Sequence, residues 1–94
     1  MVSLPGQLGV SGETRPTTLI NLSLGGALIA ATGTRFAMGV RVEVSFSIPT
    51  TPDVIEVGAT VRWSDDKATG LQFDGLRARD VWALNKYFEQ LSQS

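Results

Sequence analysis

The stretch Val40-Arg41-Val42-Glu43-Val44-Ser45-Phe46-Ser47-Ile48 alternates apolar and polar residues without a break. Successive side chains of a strand point to opposite faces, so Val40, Val42, Val44, Phe46 and Ile48 share one side while Arg41, Glu43, Ser45 and Ser47 share the other. A half-buried strand is predicted. Ile55 to Trp63 repeats the pattern, with Ile55, Val57, Ala59, Val61 and Trp63 expected inward and Glu56, Gly58, Thr60 and Arg62 outward. Between the two runs, Pro49 and Pro52 remove backbone donors and favour a turn over 49–53, so the strands are expected to be antiparallel neighbours.

On the N-terminal side, Thr17 to Ser23 and Ala27 to Ala31 read as shorter strands, separated by Gly25 and Gly26, which tolerate positive φ at little steric cost. Gln7 to Val10 makes a first strand, bounded by Pro5 and by Ser11-Gly12. On the C-terminal side, Asp65 to Lys67 turns the chain into a sixth strand, Thr69 to Phe73. Six strands with no helical crossover between them favour a mainly β, antiparallel barrel or sandwich; a closed barrel also removes exposed edges. From Arg79 the period changes. Val81, Leu84, Phe88 and Leu91 recur at three- and four-residue intervals with Tyr87 on the margin, the mark of an amphipathic helix over about 78–92 whose apolar stripe must pack on the sheet. Trp82 lies off that stripe. It is expected either to face solvent, as a candidate surface for a protein partner or a second copy, or to be covered by a neighbouring loop.

The 94 residues are expected to form one domain, 1–94, with a single core. Eight Lys and Arg against nine Asp and Glu leave no positive field of the kind that DNA or RNA binding requires. No apolar run is long enough to cross a bilayer, so no membrane insertion is expected. The chain contains no Cys and no His. Disulfides are therefore excluded, a cytoplasmic location is expected, and the usual metal ligands and the commonest catalytic base are missing. Asp65 and Asp66 make a poor acid–base pair, since neighbours on a strand diverge and neighbours in a turn both face water. The expectation is a protein that is not an enzyme and needs no metal or cofactor.

The segment Asn21-Leu22-Ser23-Leu24-Gly25-Gly26 has the Asn/Asp-x-Ser-x-x-Gly form that marks PilZ domains, the bacterial modules that read cyclic di-GMP. The rest of the chain also resembles that family: Leu4-Pro5 at the entry, Gly39-Val40-Arg41-Val42 opening a long strand, Val61-Arg62-Trp63, and Gly70-Leu71-Gln72-Phe73 before a terminal helix. The resemblance implies a six-stranded antiparallel barrel over about 6–73 with the C-terminal helix packed on it. It also implies a ligand-binding role for Asn21, Ser23 and Gly26. Period 2 puts Asn21 and Ser23 on one face about 7 Å apart, and their donors and acceptors suit a guanine edge. The same side chains are equally suited to capping a tight turn through nearby backbone groups.

PilZ domains that bind cyclic di-GMP carry an Arg-x-x-x-Arg motif just before the first strand. Here the first arginine is Arg15, expected in or beside the turn that leads to the second strand. Arg–phosphate hydrogen bonds contribute about 1.5 to 3 kcal/mol each, so two fewer should cost about 3 to 6 kcal/mol, or about two to four decades of affinity. Two functions follow from the resemblance. One is a degenerate regulatory adaptor with weak or absent nucleotide binding, acting through protein contacts in motility, pilus or surface-polymer control. The other is a working cyclic di-GMP receptor whose arginines lie outside this chain or are replaced by Arg15, Arg41 and Arg62, if these converge on the Asn21 and Ser23 face.

Overall fold

The computed structural model of the chain describes residues 2–30 and 36–92. Its strands are β1 (Leu4–Val10), β2 (Glu13–Leu22), β3 (Gly26–Ala30), β4 (Arg41–Phe46), β5 (Ile55–Ser64) and β6 (Ala68–Phe73), and they are followed by the helix α1 (Ala78–Ser92). The six strands close into a barrel in the order β1-β2-β3-β6-β5-β4, each neighbouring pair antiparallel. Leu8, Leu19, Ile29, Val44, Ile55 and Val61 are enclosed at its centre. The alternation in β4 is obeyed: Val42, Val44, Phe46 and Ile48 are buried, and Arg41 and Glu43 are exposed. Ser11 and Gly12 both have positive φ, 52° and 83°, forming the two-residue hairpin turn whose twist matches the strands it joins.

Several expectations are corrected. Strand β2 begins at Glu13 rather than Thr17, because Pro16 is accommodated: it pairs with Gln7 of β1, while β3 pairs with β2 only from Leu19 onward. Among the described residues the prolyl nitrogen therefore faces no third strand. Arg15 consequently sits within β2 opposite Leu8 and not in a turn. Trp63 is not inward. The β5–β6 register runs Val61↔Leu71 and then Trp63↔Gly70, so a bulge at Arg62 flips the phase and leaves Trp63 46% exposed on the outer face. A second bulge, between Leu19 and Asn21, brings Asn21 opposite Leu28. Neither Gly25 nor Gly26 has positive φ. The C-terminal residue of the expected strand Ala27 to Ala31 lies outside the described residues.

Helix α1 turns Ala83, Leu84 and Tyr87 into the core, with Val81 and Phe88 half-buried and Leu91 42% exposed. The buried stripe is thus rotated from the one expected. Ala83 supplies a small contact that apolar periodicity underweights, and its carbonyl accepts a 2.7 Å hydrogen bond from Thr50 Oγ1, which fixes the helix against the β4–β5 loop. No Ser or Thr caps the helix start. Instead the Arg77 carbonyl accepts from the amides of Asp80 and Val81, each at 3.0 Å, and the buried Asp80 carboxylate accepts from Arg77 Nε at 3.1 Å. A negative group in the first turn is favourable toward the helix dipole.

Candidate functional site

The bulges in β2 and β5 and the short β2–β3 turn shape an open groove of about 410 Å³ on the outside of the barrel. Asn21 and Ser23 line it from one side, Leu28 and Gln72 form its floor, and Arg62 and Trp63 line it from β5. Each position has a local cause. Asn21 faces outward because of the bulge before it, and its Oδ1 accepts from the Leu22 amide at 2.9 Å. Ser23 Oγ accepts from the amides of Gly25 and Gly26 at 3.3 and 3.2 Å and lies 3.3 Å from the Gly26 carbonyl, so it closes the turn. Gly26 is required by proximity: a Cβ there would strike the Leu71 carbonyl oxygen, with Leu71 C at 3.1 Å and Gln72 Cα at 3.3 Å. The turn is anchored to β6 by the Phe73 amide, which donates to the Gly25 carbonyl at 2.8 Å.

Trp63 is the lining residue that sequence periodicity placed on the wrong face. Its indole lies directly over Gly70, where any Cβ would meet Nε1, with Cε2 at 2.6 Å and Cδ1 at 2.9 Å. The one readable signal was the glycine in the next strand, since a bare backbone beside an aromatic often marks a close approach. The ring offers a π-face and an N–H donor to a flat, polar ligand. Arg62 is exposed and forms no ion pair among the described residues.

The structure brings together Asn21, Ser23, Gly26 and Arg62, and leaves Arg15 out. Arg15 is six residues upstream of Asn21, about 20 Å along the strand, and its guanidinium lies 3.7 Å from Glu13. The other described arginines are committed elsewhere: Arg41 to Asp74 at 2.8 Å, Arg77 to Asp80 at 3.1 Å, and Arg79 to Asp53 at 3.6 Å. Trp82, the partner candidate, is 60% exposed on α1. A larger hollow of about 540 Å³ lies at the β1–β2 turn, but Glu13 and Glu43 line it and Arg41, its cation, is held by Asp74. Like charge makes it unsuited to a phosphate ligand.

An outer groove beside an Asn-x-Ser-x-x-Gly turn, on a six-stranded barrel carrying one helix, defines a class of small β-barrel domain with an open cleft on its outer face. The sequence matches the PilZ domain family over residues 1–90, and the chain belongs to that family. No curated protein matches it in sequence. Among solved structures it is similar to the Bacillus subtilis inhibitor of motility MotI/DgrA, with 27% identity and a TM-score of 0.80 over 97% of this chain and 48% of that one. It is also similar in fold to the Borreliella burgdorferi PlzA protein in complex with c-di-GMP, with 20% identity and a TM-score of 0.69 over 89% of this chain and 32% of that one. The chain therefore spans about half of the first and a third of the second. No described helix is long and apolar enough to cross a membrane, and no enzymatic family is indicated.

Proposed function

We propose that this chain is a non-catalytic, cytoplasmic PilZ regulatory module, one folded domain over 1–94, that works through protein contacts in motility, pilus or surface-polymer control. By itself it binds cyclic di-GMP weakly or not at all. The observation that carries this reading is electrostatic: among the described residues Arg62 is the one arginine lining the groove, while a dinucleotide brings two phosphates. One charge-assisted contact leaves the second phosphate uncompensated. Likeness to an inhibitor of motility supports the assignment to motility control. Titration calorimetry of this chain with cyclic di-GMP is expected to give no saturable heat at low-micromolar ligand; saturation there would overturn the proposal.

The assembled groove supports a second reading, a receptor site that needs arginines from outside the described residues or compensating ones. In that case Asn21, Ser23 and Gly26 form its guanine-facing wall, Arg62 its phosphate contact, and Trp63 a stacking face. At millimolar nucleotide, amide chemical-shift changes are then expected to gather on 21–26, 62–63 and 70–72. The double variant Asn21→Ala, Ser23→Ala should abolish them. Unchanged shifts in the double variant would remove both residues from the site.

A further inference from the structure

The solvent side of α1 carries Arg79, Trp82, Lys86 and Glu89, spaced three, four and three residues apart. At about 100° per residue they gather within an arc of about 80°, opposite the buried Leu84 and Tyr87. Residues three and four apart are neighbours on a helix surface, so the four form one continuous line of mixed charge around a single aromatic. All four are well exposed: Trp82 60%, and the side chains of Arg79, Lys86 and Glu89 58%, 49% and 63%. Trp is enriched among the residues that dominate binding energy at interfaces.

The order of charges along the seam selects its occupant. Reversed on itself about a two-fold axis at the level of Leu84, the seam sets Arg79 opposite Glu89 of a second copy and Trp82 opposite its Lys86. Each contact occurs twice, as an isologous interface requires. Lys86 already stands 5.7 Å from the Trp82 ring centroid within its own helix, so the same cation–π chemistry is available across the seam. Parallel pairing would set Arg79 on Arg79 and Lys86 on Lys86, which is repulsive. The ion pairs given up, Arg79 with Asp53 at 3.6 Å and Lys86 with Glu89 at 3.8 Å, are exposed and weak. We propose that this face of α1 is a homodimer seam, on which the helix of a second copy docks antiparallel through Arg79–Glu89 and Trp82–Lys86 contacts. Arg79 to Glu89 spans only about 15 Å of helix, so the dimer is small and concentration-dependent.

Sedimentation velocity of the wild-type chain from micromolar to millimolar is expected to show the mass rising from 10.0 kDa toward twice that value. Arg79→Glu and Glu89→Arg should each weaken association by about tenfold or more, because each creates two like-charge contacts. An equimolar mixture of the two variants should recover the dimer, since each then meets its complement. A wild type that stays monomeric at millimolar concentration overturns the proposal, and so does a mixture that fails to recover. Arg79 also borders Asp53 and Asp80, and circular dichroism tests its variant for loss of the fold. In that event Glu89→Arg and Trp82→Ala carry the test: both must weaken the dimer about tenfold with helix content unchanged, and wild-type association in either refutes the seam.

Discussion

Gly26→Val is expected to lower the stability of the fold by about 1.5 to 4.5 kcal/mol, moving the melting temperature down by about 6 °C or more. The position has an ordinary φ, so the cost is not backbone strain. It comes from β3 and β6 meeting where Gly26 pairs with Gln72, leaving no room for a Cβ against the Leu71 carbonyl. Those obstacles are backbone atoms, which move only if the strands separate. Separation would also stretch the Phe73 amide to Gly25 carbonyl bond of 2.8 Å. Overpacking costs about 1 to 3 kcal/mol, and each lost hydrogen bond adds about 0.5 to 1.5 kcal/mol. Gly25→Ala is the control. A Cβ there meets only Ser23 Oγ at 4.0 Å, and its melting temperature should stay within about 3 °C of wild type. A wild-type melting temperature for Gly26→Val would refute the close-approach argument.

Strands β4 and β5 show what periodicity can carry and where it stops. Alternation identified β4 and the first part of β5, because Val42 to Ile48 and Ile55 to Val61 each keep one face in a narrow interior. It failed at Trp63, where an extra residue at Arg62 reverses the phase; no local residue type announces a bulge, and an aromatic reads as core by default. Arg62 was placed correctly outward and falls in the groove. Arg15 was misjudged for a different reason. The sequence shows that it is a cation near the motif, but not that Pro16 can be absorbed into β2, which carries Arg15 to the far part of the strand. In the helix, the large apolar residues marked a stripe that the barrel does not follow to its end, so Leu91 is exposed while Ala83 and the charged Asp80 are buried. Ion pairing with Arg77 makes that burial tolerable, a compensation that residue type alone does not reveal.

The largest change in affinity is expected from supplying the second phosphate contact. Adding an Arg-x-x-x-Arg segment ahead of Val2 should raise affinity for cyclic di-GMP by about two to four decades, from no measurable binding into the range that calorimetry resolves. The direction of the chain makes the graft reasonable. Leu4 pairs with Leu19, and the Val2 amide donates to the Ile20 carbonyl at 3.3 Å, so residues placed before Val2 run beside Asn21 toward the rim of the groove. Charge delivered there would meet the ligand from the side opposite Arg62, making a clamp of two cationic walls rather than one. A Lys-x-x-x-Lys graft provides the discrimination, because ammonium groups bring the charge but not the bidentate geometry, and it should recover only part of the gain. The gain should also fall away when Asn21→Ala and Ser23→Ala are added to the arginine graft. Equal affinities with and without the arginines would show that phosphate neutralisation does not limit this groove, and the reading of the chain as a groove lacking its second cation would fall with it.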